Sequence, residues 1–163
     1  MVKTLDIGDV APSFSLAADD GRAVSLESLR GKPAILFFYP KDDTTSCTAE
    51  AIAFDALRAS FTAAGAALAG ISPDGVASHI KFKRKHALSL TLLADETKAA
   101  IEAYGVWREK TLWGRTYMGV ERSTFLIDPA GRIARIWRKV RVKGHAAEAL
   151  AAVQALAAAF ANG

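Results

Sequence analysis

Apolar positions change their spacing several times along the chain, and each change marks an element. Phe14 and Leu16 alternate with serines, Asp19-Asp20-Gly21 turns, and Val24 and Leu26 resume the alternation, so residues 12–29 predict a short hairpin. Pro33–Tyr39 is an unbroken apolar run, the pattern of a strand buried on both faces. It ends at Pro40, and the polar loop Lys41-Asp42-Asp43-Thr44-Thr45-Ser46 follows. From about Cys47 the spacing is helical, with Ala53, Leu57 and Phe61 in step to about Ala64, where Gly65 predicts the stop. Ala66–Ile71 reads as a second strand. Asp74–His86 reads as a helix after the Ser72-Pro73 start, Leu90–Leu93 as a short strand and Glu96–Tyr104 as a short helix. Arg122–Asp128 and Arg132–Trp137 predict a hairpin across Asp128-Pro129-Ala130-Gly131, with proline in the second turn position and glycine in the last. A final helix after Gly144 aligns Leu150, Val153, Ala157 and Phe160 on one stripe.

The order alternates strands with helices and closes on a hairpin. Crossovers make the middle of a sheet parallel, and the tight hairpin makes its edge antiparallel. The expected class is therefore α/β, a mixed β-sheet sandwiched between helices, in one domain spanning residues 1–163. Such sheets hold ligands at the carboxyl ends of their strands, where the Pro40–Cys47 loop falls.

Composition sharpens this only in places. Half of the 163 residues are apolar and 23% are charged, which excludes a disordered tail, a fibre and a disulfide scaffold. The 33 alanines favour helix and close packing without pointing to chemistry. Charge is uneven: residues 107–145 carry ten basic and three acidic side chains, a local excess of +7 in a chain of net +4. That excess attracts acidic partners in principle, yet no block of Lys/Arg interleaved with aromatics and no nucleic-acid motif accompanies it, so no nucleic-acid partner is expected. The first ten residues lack a secretory pattern, and no run reaches the ~18 apolar residues of a membrane span, so no membrane partner is expected either. One cysteine, Cys47, allows no internal disulfide and suits a reducing compartment, so the expected address is cytoplasmic.

That cysteine is the candidate for chemistry. An isolated cysteine is usually an inert core residue, but this one follows a central strand and a polar loop at the first turn of a helix. Free backbone N–H groups and the helix dipole favour an anion there, hence a thiolate. Asp42 and Asp43 oppose it if they point inward and are spectators if the loop is solvated. His79, His86 and His145 carry no local signature and read as surface or structural residues. Thr44-Thr45-Ser46-Cys47 lacks the first sulfur of a dithiol motif, and one cysteine with scattered histidines does not make a zinc site. What remains is a lone thiolate that meets a small electrophile, with no cofactor or metal implied.

Pro40-x-x-x-Thr44-x-x-Cys47 resembles the peroxiredoxin signature. The wider Phe38-Tyr39-Pro40-Lys41-Asp42-Asp43-Thr44, Cys47-Thr48 and Glu50 are similar to the bacterioferritin comigratory protein, or peroxiredoxin Q, group. Tyr117–Asp128 and Gly8-Asp9-x-Ala11-Pro12-x-Phe14-x-Leu16 extend the resemblance over nearly the whole chain. It implies a thioredoxin-like fold with an N-terminal hairpin extension, and a thiol-dependent peroxidase acting on hydrogen peroxide and organic hydroperoxides in antioxidant defence. By that resemblance Cys47 is the peroxidatic thiolate and Thr44 its hydroxyl partner. Arg122 is the cationic partner, whose planar fork reaches sulfur and peroxide together, and Pro40 shields the pocket. The sulfur becomes a sulfenic acid as water or alcohol leaves.

Two departures stand out. Thr45-Ser46 replaces the usual Pro-Gly before the cysteine. The positions where members of the group carry a resolving cysteine hold Ile52 and a residue near Lys83, so a one-cysteine cycle is implied, with the sulfenic acid reduced by an external thiol (thioredoxin, glutaredoxin or glutathione). A monomer, at most a weak dimer, is expected. The basic stretch Lys81, Phe82, Lys83, Arg84, Lys85 reads as a solvated helix face or as a docking site for an acidic reductant or glutathione. Trp107 and Trp113 flank what reads as a polar loop and are packing residues or a partner surface. A binding or holdase protein that keeps the scaffold with weak peroxidase activity is the competing reading; a pure binding protein would consume no peroxide.

Overall fold

The computed structural model describes residues 4–161. In chain order the elements are β1 (Ser15–Ala18), β2 (Ala23–Ser25), a short 3-10 turn (Glu27–Leu29), β3 (Ala34–Phe38), α1 (Thr45–Ala56), α2 (Arg58–Ala63), β4 (Ala67–Ser72) and α3 (Val76–His86). Then come β5 (Thr91–Ala94), α4 (Ala99–Ala103), β6 (Trp107–Leu112), β7 (Arg115–Val120), β8 (Ser123–Ile127), β9 (Ile133–Trp137) and α5 (His145–Ala161). Seven strands form one sheet in the order β2-β1-β5-β4-β3-β8-β9. β3, β4 and β5 run parallel, as helical crossovers require, while β8 returns antiparallel to β3 and turns tightly into β9. The N-terminal hairpin is annexed to this sheet, because β1 pairs antiparallel with β5. Mixed sheet and flanking helices make the thioredoxin-like fold expected above.

All five residues of β3 are buried, and their alternation builds two cores. Ile35, Phe37 and Tyr39 face Phe54 of α1, Phe61 of α2, Phe82 of α3 and Val153 of α5. Leu36 and Phe38 face Ile101 of α4, Tyr104, Val106 and Val120. Each such large apolar side chain, fully buried, contributes roughly 1.5–3 kcal/mol. Phe37 and Phe54 stack with centroids 4.4 Å apart, and the Phe37 ring lies over Gly70 of β4. A Cβ at Gly70 would stand 2.6 Å from that ring, so only glycine fits the strand there.

Three helices and one loop differ from the sequence reading. The helix expected from Cys47 to Ala64 starts at Thr45 and breaks at Leu57, where the chain tightens and the Leu57 N–H reaches Phe54 O. Beside the break, the Asp55 carboxylate leaves the helix to accept the N–H groups of Ser89 and Leu90. α3 begins at Val76 because Asp74 is occupied by Ser72 Oγ and the Asp42 N–H. α4 starts only after Lys98, which is left-handed (φ 65°). The stretch with Trp107 and Trp113 is no loop: β6 and β7 pair over six residues each and turn on Trp113 and Gly114, both with positive φ. Trp113 at the tip is 95% exposed, whereas Trp107 is half-buried, packs on the core and carries Lys98 Nζ 5.2 Å from its ring centre. Among the described residues no helix is long and apolar enough to cross a membrane.

Candidate active site

The antiparallel register of β3 with β8 sets Phe38 opposite Ser123, so the chain just after β3 runs beside the chain just before β8. This is how Cys47 and Arg122, 75 residues apart, come into contact. Between β3 and α1 the chain passes Pro40, half-buried at the strand end, and the Asp42–Thr44 loop. Asp43 takes a positive φ of 65°, a conformation that a short polar side chain tolerates.

Thr44 is the N-cap of α1, and its Oγ1 accepts the Cys47 N–H at 3.4 Å. The Thr44 hydroxyl lies 3.4 Å from Lys41 O and donates there, so in this structure its hydrogen points to the backbone rather than to the sulfur. Cys47 thus occupies the first turn of a twelve-residue helix, at its positive end. Its side chain is 2% exposed. Arg122 Nη2 donates to Cys47 Sγ at 3.3 Å, and Nη1 donates to Glu50 Oε1 at 2.7 Å. The Arg122 carbonyl accepts the Val140 N–H, which fixes the backbone from which the guanidinium extends. Burial works against the Arg122 charge, but the opposite charges of Glu50 and Cys47 outweigh it and hold Arg122 above its usual range.

The sequence motif includes Glu50 without giving it a role, and the structure makes it part of the site. α1 buries Cys47, Glu50, Ala51 and Phe54, the i, i+3, i+4, i+7 stripe of an inward face. A glutamate inside that stripe is the signal the sequence offers. It is 1% exposed, and its Oε2 has no hydrogen-bond partner among the described residues. Burial pushes its carboxyl up from the usual 4.5 to about 7, although Arg122 pulls the other way. Lys110 on β6 also feels this site. Burial and then Arg122 lower it, while Cys47 and Glu121 act in the opposite sense.

The two loop aspartates divide. Asp42 is buried and accepts from Tyr39 Oη (2.6 Å) and Ser78 Oγ (2.8 Å), with His79 Nδ1 at 2.7 Å. His79 Nε2 faces Leu93 O at 3.0 Å, so the imidazole ties the loop to α3 and β5. Asp43 stays at the surface, paired with Lys85 and His86. Neither aspartate is simply solvated, as a free acidic loop would be. His145 packs edge-on to Phe54 and Trp137 and shares a 2.8 Å hydrogen bond with Thr124. All three histidines are thus engaged in structure. The basic stretch of α3 is only partly solvated, since Phe82 is buried and Lys83 is tied to Asp19 at 2.6 Å.

A helix N-terminus and a guanidinium both favour negative charge at this buried sulfur, surroundings unlike those of a cysteine in an apolar core. Residues 7–136 match the AhpC/TSA family, and the chain belongs to it. It is therefore a peroxiredoxin, an oxidoreductase that uses a thiol to reduce peroxides. Peroxiredoxin Bcp of Bacillus subtilis (strain 168) is 48% identical over 147 residues, covering 90% of this chain and 94% of the relative. A putative peroxiredoxin bcp of Coxiella burnetii is 46% identical, covering 89% and 96%. Among solved structures, the bacterioferritin comigratory protein of Xanthomonas campestris, described for its alkyl peroxide reduction activity, superposes with a TM-score of 0.86 at 38% identity, covering 94% of this chain and 98% of that one.

Proposed function

We propose that the whole chain is one peroxiredoxin domain in which Cys47 is the peroxidatic residue, attacking hydrogen peroxide or an organic hydroperoxide as a thiolate. The observation that carries this reading is the 3.3 Å contact from Arg122 Nη2 to Cys47 Sγ at the first turn of α1. Arg122 and the Cys47 N–H hold the peroxide oxygens in line with sulfur and stabilise charge as it moves to the leaving oxygen. The Thr44 hydroxyl turns from Lys41 O to the bound peroxide, and Pro40, with no N–H of its own, closes the strand side of the pocket. Sulfur gains one oxygen and becomes a sulfenic acid.

With one cysteine in the sequence, this sulfenic acid is resolved by an external thiol, either a thioredoxin or glutaredoxin cysteine or glutathione, in a reducing compartment such as the cytoplasm. The test is intact-mass analysis after one equivalent of peroxide, followed by turnover with the three thiol systems side by side. A gain of one oxygen at Cys47, and a mixed disulfide when glutathione is present, are expected. An unmodified Cys47, or a Cys47→Ser variant that still consumes peroxide, overturns the assignment.

A further inference from the structure

Glu50 presents a charge problem that the peroxide chemistry leaves open. One guanidinium serves two acids: Arg122 Nη1 faces Glu50 Oε1 and Nη2 faces Cys47 Sγ. Both acids are almost wholly buried, and Glu50 Oε2 has no partner among the described residues. With Cys47 as thiolate, a second anion would leave the trio with an uncompensated buried charge, which is strongly unfavourable. A proton on the bare Oε2 removes that charge and leaves Oε1 free to accept from Arg122. Once sulfur is a neutral sulfenic acid the demand reverses, and Arg122 is matched by a carboxylate.

We propose that Glu50 stores the Cys47 thiol proton on Oε2 while the sulfur is a thiolate and returns it to the departing peroxide oxygen. This rests on the peroxidatic role of Cys47 proposed above. In the step, a sulfur lone pair forms the S–O bond as the O–O bond breaks, and the electron pair goes to the leaving oxygen. That oxygen takes the Glu50 proton and departs as water or alcohol, leaving Cys47 sulfenic acid and a Glu50 carboxylate. Reduction by the external thiol regenerates the Cys47 thiol, whose proton reloads Glu50. Other charges bearing on the cluster are few. Lys110 of β6 feels Arg122, Cys47 and Glu121, and His145 of α5, lowered by its burial, feels Glu148, Arg135 and Arg122. A carboxyl pushed by burial to about 7 is poised between the two states near neutral pH.

Infrared spectroscopy of the protein labelled with 13C-glutamate, just below pH 7, tests the stored proton directly. The reduced parent should show a buried protonated carboxyl band that is missing in Glu50→Gln, is lost when one equivalent of peroxide oxidises Cys47, and is weaker in Cys47→Ser. A band absent from the reduced parent, or unchanged through oxidation, overturns the proposal. Stopped-flow oxidation across pH supplies the second readout. Glu50→Gln keeps an oxygen for Arg122, so a merely structural role leaves the pH profile in place. Loss of the proton store should slow oxidation roughly 10- to 100-fold below pH 7 and abolish the decline above it. A variant with the parent's rate and profile also overturns the proposal. The comparison of reduced parent with Cys47→Ser needs no peroxide. A parent that gains no oxygen at Cys47 therefore refutes the peroxidatic assignment, separately from the infrared result.

Discussion

Replacing Glu50 with glutamine should change the pH dependence of stability in a defined window and with a defined sign. In the unfolded chain the carboxyl has its ordinary value of 4.5, and in the fold burial raises it to about 7. Below the lower value both states hold the proton, and ionisation contributes nothing. Between the two, the unfolded carboxyl gives up its proton while the folded one keeps it, so Glu50's own contribution to the fold falls by about 1.4 kcal/mol per pH unit. Relative to pH 4.5, Glu50 therefore makes the fold less stable as pH rises through 7, by about 3 kcal/mol in all. The glutamine of the variant cannot ionise, so the parent's advantage over Glu50→Gln should shrink by that amount across the window. Asp20, Glu27 and Asp43 are held below their usual values by their own hydrogen bonds and push stability the other way, but they are common to both proteins and cancel. Urea unfolding of the reduced proteins at stepped pH measures this directly. With an m-value of about 2 kcal/mol/M, the difference in midpoints should move by about 1.5 M. A difference that stays constant, or moves in the opposite direction, would show that the Arg122 pair outweighs burial and that Glu50 is a plain carboxylate.

Other changes probe the remaining parts of the site and core. Arg122→Lys keeps a charge but cannot span Glu50 and Cys47 together, so stopped-flow oxidation should slow by about 10²-fold while circular dichroism stays that of the parent. Thr44→Val removes the helix cap as well as the hydroxyl. Thermal unfolding should report a loss of about 1 kcal/mol, and oxidation should slow too; an unchanged oxidation rate would confine Thr44 to capping. Gly70→Ala drives a methyl into Phe37 and should cost about 1–3 kcal/mol in denaturant unfolding, and parent-like stability would mean that β4 shifts freely.

Strands and crossover helices were legible because their periods are strong. The apolar run ending at Tyr39, the glycine after Ala64 and the Asp128–Gly131 turn each mark their element within a few residues. The β6–β7 hairpin was not legible for a physical reason. Its two-residue turn needs positive φ at both positions, which Asn-Gly or Asp-Gly would advertise, but here Trp113 precedes Gly114. Its strands are also mostly exposed, so they lack an apolar alternation. Cys47 was singled out by its position and Thr44, Arg122 and Pro40 by the motifs, and the structure brings Cys47, Thr44 and Arg122 into hydrogen-bond contact. The second acid, Glu50, stood in the motif without a role, and its place on an inward stripe is clear only when the first turn of α1 is fixed. The burial of Asp42 depends on His79, 37 residues on, and no local pattern reveals it.

The 2% exposure of Cys47 makes the two halves of the reaction cycle unequal in kind. In the proposed cycle, oxidation needs only the two peroxide oxygens to reach Sγ. A protein thiol must instead bring its own sulfur to about 2 Å from the buried Cys47 sulfur in forming a mixed disulfide. On the proposed cycle, recycling by such a thiol therefore calls for a local opening around the buried sulfur. Mild denaturant or a weakened cap should then quicken recycling by a protein thiol while slowing oxidation. On the proposed cycle, the stability of a single helical turn acts as a timer, setting how long the oxidised sulfur remains open to further oxidation.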